Sequence, residues 1–296
     1  MCSLEPRCRL SIMIGKIAVF FLFLLLVWGN IVAGLKAGLG CPDWPLCHGR
    51  VLPPFRWDIY TEFTHRILGV VASVFLIVLS YQRFRQYTGK SKLIPILTVV
   101  LLLVQIALGG IVVLLELPVN LTTVHFANAI FIYSLTFYMA FFDGKKNEPI
   151  FSIQRYSTLF LLLGLMVFSQ AVLGAYVRHS EAGLACPDFP TCLGYWIPPE
   201  LSGIVLIHFS HRTLAYVIFL TVLAIFIGTY LNSALRRDRS KVLILLGLIF
   251  VQIGIGVGVI HSKLYFLTTA LHLAVALLIL SIVLHTWFQE MTENRV

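Results

Sequence analysis

Eight apolar runs dominate this chain, at 14–32, 63–81, 93–114, 122–142, 158–177, 206–230, 242–260 and 268–288. A helix needs roughly 20 apolar residues to cross a hydrocarbon layer ~30 Å thick. A lipid-exposed backbone must satisfy its own hydrogen bonds, so runs of this length specify helices. The expected fold class is all-α integral membrane, with eight transmembrane helices. Composition agrees: of 296 residues, 59% are hydrophobic and only 12% charged, well outside the range of a soluble domain. The first run is read as a retained helix, since no small-residue cleavage site follows it. The net charge of +9 does not point to nucleic acid, because the basic residues gather in short connections between the runs.

Those connections carry an orientation signal. Counting alternate ones, 15 of the 22 lysines and arginines fall on one side, including Arg83, Arg85, Lys145, Lys146, Arg236, Arg237 and Arg239. The positive-inside rule then places both termini in the cytoplasm of a plasma-membrane protein and loops 35–60 and 178–203 outside.

The eight runs are two copies of four. Ala37-Gly38-Leu39-Gly40-Cys41-Pro42-Asp43-Trp44-Pro45-Leu46-Cys47 returns as Ala182-Gly183-Leu184-Ala185-Cys186-Pro187-Asp188-Phe189-Pro190-Thr191-Cys192, displaced by 145. His65-Arg66 returns as His211-Arg212, His125 as His272 and Gln105 as Gln252, at displacements of 146 or 147. An even number of helices per copy makes the repeats parallel. The expected architecture is therefore two parallel-repeat four-helix bundles: an N-terminal tail at 1–13, one unit at 14–150 and a second at 151–296.

Each copy places two histidines near the openings of its second and fourth helices: His65 and His125, then His211 and His272. Ionisable groups at such depth are costly unless paired. Two imidazoles at equal depth suit the axial positions of a haem held inside a bundle. Zinc or copper would need a third ligand, from Glu62 in one copy and His208 in the other. Arg66 and Arg212 are candidates to meet haem propionates. Glu62 lies one turn before His65, where a carboxylate could move a proton or steady developing positive charge; its repeat counterpart is His208. The glycines Gly109, Gly110, Gly254, Gly256 and Gly258 read as helix-packing positions. Cys41 with Cys47 and Cys186 with Cys192, each pair within one external loop, read as disulfides. Cys2 and Cys8 belong to no motif.

Glu-Phe-Thr-His-Arg in the second helix, His125 in the fourth, His211 and His272 in the second half and the cysteine-bearing loops together resemble the haem A synthase family, over about residues 14–290. The resemblance implies an oxidoreductase that converts a methyl group of haem O to a formyl group by successive hydroxylation, supplying haem A to terminal oxidases. It further implies haem b as cofactor on His211 and His272, and haem O as substrate on His65 and His125. Its implied partners are a haem O synthase and an electron acceptor, within the lipid bilayer. A di-haem b-type electron-transfer cytochrome is the competing reading; it predicts two equivalent, permanent haems and no special need for Glu62.

Overall fold

In a computed structural model, residues 6–142 and 155–293 are described, and among them regular structure is almost wholly helical. The helices are α1 (Pro6–Gly34), α2 (Trp57–Gln86), α3 (Leu93–Leu114), α4 (Val119–Phe141), α5 (Arg155–His179), α6 (Gly203–Leu231), α7 (Arg239–His261) and α8 (Phe266–Glu293). All eight are long and apolar enough to cross a membrane. The third ends where its apolar run ends. The others extend beyond theirs, because turns such as Trp57–Glu62 and Arg83–Gln86 are polar yet remain helical. Most of segment 1–13 is not a separate tail: α1 begins at Pro6, a first-turn position that proline favours. Cys2 lies outside the described residues, as do Lys145 and Lys146.

The chain divides into two compact units, residues 1–153 with 288–296, and residues 154–287. The end of α8 groups with the first unit; Phe288 sits edge-on to Tyr138 at 4.9 Å. Within the first unit α1 packs on α2 and α4, while α3 packs on α4 and α2. Close approach is explicit at Gly15, where a Cβ would stand 2.7 Å from the Ala140 backbone. In the second unit α6 packs on α5 and α7, α5 meets α8 at Gly164 and Val283, and α7 meets α8 at Gly256 and His272.

Each unit carries one disulfide-bonded loop. Cys41 is bonded to Cys47 with a Cα separation of 4.7 Å, and Cys186 to Cys192 at 4.6 Å. Both loops contain a cis peptide before proline, Trp44-Pro45 and Phe189-Pro190. Beyond the second cysteine the chain reverses through two residues with positive φ, His48 and Gly49 (55° and 67°) or Leu193 and Gly194 (57° and 82°). Single bridges, Cys47 with Arg50 and Cys192 with Tyr195, close these turns.

Candidate functional site

The four repeat histidines occupy matched positions. His65 and His211 are each the ninth residue of their helices, α2 and α6, and His125 and His272 are each the seventh of α4 and α8. At ~1.5 Å per residue, that sets them about 12 Å and 9 Å from the helix starts. Within each unit the two rings are close enough for charge on one to be felt by the other, His65 with His125 and His211 with His272. All four histidines are half-buried.

Every ring rests on a glycine of the preceding helix. A Cβ at Gly29 would stand 3.0 Å from His65 Cε1, at Gly109 3.2 Å from His125 Cε1, at Gly174 3.0 Å from His211 Cε1 and at Gly256 3.2 Å from His272 Cε1. These distances lie inside the ~3.5–4.0 Å optimum for carbon contacts. Gly109 and Gly256 therefore hold imidazoles and not helix backbones. A Cβ at Gly110 would stand 2.9 Å from the Trp44 indole, while one at Gly254 or Gly258 would meet nothing within 4 Å.

Three of the four rings also meet a glutamine: Gln105 Nε2 lies 3.2 Å from His125 Nε2, Gln170 Nε2 3.3 Å from His211 Nε2 and Gln252 Nε2 3.2 Å from His272 Nε2. Two of these carboxamides have a defined orientation. Gln170 Nε2 donates also to the His211 carbonyl at 3.0 Å. Gln105 Oε1 accepts from Asn128 Nδ2, which donates in turn to the Leu101 carbonyl. Carbonyls only accept, so both glutamines donate to imidazole and Nε2 of His125 and of His211 is unprotonated; a metal taking that lone pair would displace the glutamine.

The donor set can be tested against a haem. Among the described residues no three His, Cys, Asp or Glu side chains gather into a metal cluster, whereas two imidazoles per unit match the two axial positions of haem iron. In the second unit Nδ1 of His211 and of His272 and Oε1 of Gln170 and of Gln252 are buried without partners. Buried polar atoms are rarely left so; iron on Nε2 would release each glutamine but would not reach Nδ1, so the match to a haem rests on the paired imidazoles. The residues fit a haem.

Glu62 is buried, with 8% of its side chain exposed, and Oε1 accepts from Arg66 Nε at 3.2 Å. Among the described residues the other carboxylate oxygen has no hydrogen-bond partner. Its counterpart His208 is committed: Nε2 accepts from Arg212 Nε at 3.3 Å, while Nδ1 lies 3.0 Å from the Ala182 carbonyl and 3.4 Å from the Cys186 amide.

Arg66 and Arg212 do something the charge argument does not foresee. Arg66 donates to the carbonyls of Cys41, Asp43 and Leu46 at 2.8, 2.8 and 2.6 Å, and Arg212 to those of Cys186, Asp188 and Thr191, each at 2.5 Å. With the contact to Glu62 or His208, four of five guanidinium N–H groups are used. Each arginine ties its disulfide loop to the helix turn that carries the histidine.

Asp43 and Asp188 hold the loops from within, a role the sequence reading misses although Cys-Pro-Asp stands in both copies. Asp43 accepts from the His48 and Gly49 amides at 2.6 and 2.7 Å, and Asp188 from those of Leu193 and Gly194 at 2.7 and 2.9 Å. The Thr191 hydroxyl donates to Asp188 as well. Led by that hydroxyl and the Gly194 amide, these bonds bring the Asp188 carboxyl down to about 2; the Gly49 amide leads in lowering Asp43. Because the folded value lies below the ordinary ~3.9, the contribution is complete above that pH and is lost as pH falls through about 2. Protection of the Leu193 and Gly194 amides from hydrogen exchange should hold from neutral pH to about 4 and decline below. Asp188→Asn should lose it already at neutral pH; wild-type protection in that variant would contradict the assignment.

Fold and site together define a class, a multi-pass membrane protein in which each of two units presents a pair of seated imidazoles. The family described as cytochrome oxidase assembly protein (COX15-CtaA) matches residues 54–284, and the chain belongs to it. Among its relatives, the haem A synthase of Halalkalibacterium halodurans is 31% identical over 227 residues, 73% of this chain and 74% of that one. The haem A synthase of Bacillus licheniformis is 27% identical over 265 residues (85% and 86%), and that of Alkalihalophilus pseudofirmus 28% identical over 280 residues (88% and 93%).

Proposed function

We propose that this protein is a haem A synthase, an oxidoreductase that oxidises the methyl group of haem O to a formyl group, with the first unit as reaction site and the second as holder of a permanent haem b. The observation that carries the division is the contrast between Glu62 and His208 at one repeat position. One offers a carboxylate oxygen with no protein partner, the other a neutral imidazole already engaged at both nitrogens.

In this reading His65 and His125 hold the substrate iron. The bundle excludes water around the ring, and Glu62 stands one helical turn from His65 at the macrocycle's edge. Oxidation of a porphyrin methyl passes through electron-poor carbon. A carboxylate nearby lowers the energy of that charge and can take the proton released as the hydroxylated carbon becomes a carbonyl. The contact with Arg66 is a single one at 3.2 Å; it orients Glu62 while leaving an oxygen free to act. His211 and His272 would hold haem b, which when bound supplies a one-electron redox centre. Contacts of Arg66 and Arg212 to propionates are limited to the one N–H that the loop leaves each of them.

The charge asymmetry of the connections supports cytoplasmic termini, with the disulfide loops on the outer, oxidising face, and the matched positions of the histidines support parallel repeats. Expression in cells that make haem O but lack their own haem A synthase tests the proposal. Haem A or a hydroxylated haem O should appear in the pigment extract. An extract holding only haem O and haem b would favour the di-haem cytochrome.

A further inference from the structure

At three of the four imidazoles the glutamine and the glycine that meet the ring stand four residues apart on one helix, one turn from each other on the same face. Gln105 and Gly109 on α3 hold His125, Gln170 and Gly174 on α5 hold His211, and Gln252 and Gly256 on α7 hold His272. The fourth site keeps the glycine, Gly29 on α1, but Leu25 stands where the glutamine would be. Accordingly, among the described residues His65 makes no side-chain hydrogen bond, and its Nδ1 is buried without a partner.

We propose that Gln-x-x-x-Gly is the device that positions the histidine ligands in this protein, and that its incomplete copy at Leu25 and Gly29 makes His65 the least constrained of the four. These are positioning residues, acting on the macrocycle only through the imidazole. Glycine fixes how far the ring can approach the neighbouring helix, because any Cβ there meets Cε1, the carbon between the two nitrogens. In the metal-free protein glutamine fixes the ring's rotation and, for Gln105 and Gln170, keeps Nε2 unprotonated by donating to it; iron taking that lone pair displaces the glutamine, so its role is to hold the ring ready for the metal. The three complete copies hold both ligands of the proposed permanent site and one ligand of the substrate site. The half-copy falls on the imidazole beside Glu62, where in the proposed function a substrate must be admitted and a product released. Release is easiest at a ligand that nothing else holds in register.

The inference rests on the proposed function for its link to haem, but its geometry does not. The full-length protein, labelled at histidine Cε1 and freed of haem, gives an NMR signal from each imidazole. Gly256→Ala should displace the His272 signal alone, and Gly29→Ala the His65 signal alone. Gly254→Ala and Gly258→Ala, on the same helix with open space before them, should displace neither. Alanine is the better helix former, so a shift cannot be put down to a weakened helix. Gln252→Leu should broaden or move His272, and Leu25→Gln should sharpen His65. Equal responses from Gly256→Ala and its two neighbours, or an unmoved His65 in Leu25→Gln, would overturn the positioning role whatever the protein binds. In haem-loaded protein, Gly174→Ala and Gly256→Ala should convert low-spin haem to high-spin, while Gly29→Ala leaves that signal unchanged. A wild-type protein without low-spin haem would overturn the functional reading and leave the seating result standing.

Discussion

His211→Ala or His272→Ala should each abolish the low-spin b-type signal of the purified protein. Loss of an outer-shell partner typically costs 10–100-fold in metal affinity, and removal of an axial ligand should cost more than about 100-fold. The remaining imidazole alone does not complete the pair, and the neighbouring His208 already has both nitrogens engaged with Arg212 and the Ala182 carbonyl. The same substitutions at His65 or His125 should leave that signal in place and remove the binding of haem O. Retention of the full spectrum in both second-unit variants would show that the permanent haem is held elsewhere.

Glu62→Gln should slow methyl oxidation about 10²–10⁴-fold, the range expected for a positioned proton-transfer group, with the second-unit haem undisturbed. The variant keeps size and shape, and the amide oxygen can still accept from Arg66. What it loses is charge and basicity. Haem O or a hydroxylated intermediate should accumulate, and Glu62→Asp should recover part of the rate if reach is the only deficit. Undiminished haem A formation by Glu62→Gln would reduce Glu62 to a tether for Arg66, and the choice of reactive unit would lose its structural basis.

Much of this molecule is legible in one dimension because a bilayer demands continuous apolar runs. Leu93–Leu114 is delimited correctly by hydropathy alone, and the cysteine pairs follow from their repetition in two loops. Helix ends such as Trp57–Glu62 are harder to see, since a polar turn at a membrane boundary looks like a loop until its hydrogen bonds are known. Arginine after histidine reads as a charge awaiting an anion, yet in both units the guanidinium is spent on backbone carbonyls, and a carbonyl leaves no mark in sequence. The glycine seats are obscured by chemistry of another kind. Gly29 and Gly174 sit in ordinary apolar runs, and a missing side chain acquires meaning only when the residue opposite is known to be an imidazole. Gln170 escapes for a related reason: its repeat counterpart is Leu25, so comparing the halves discards it, whereas the spacing to Gly174, shared with Gln105–Gly109 and Gln252–Gly256, would have found it.

The central claim is that one unit transforms a haem while the other keeps one. Purified protein loaded with haem O and supplied with oxidant can be sampled over time and its pigments extracted. The account predicts that haem O falls and haem A rises through a hydroxylated intermediate, with haem b constant at one per chain, and that Glu62→Gln halts the conversion without altering haem b. Constant amounts of both pigments in the wild-type protein, or conversion that proceeds equally well in Glu62→Gln, would contradict it.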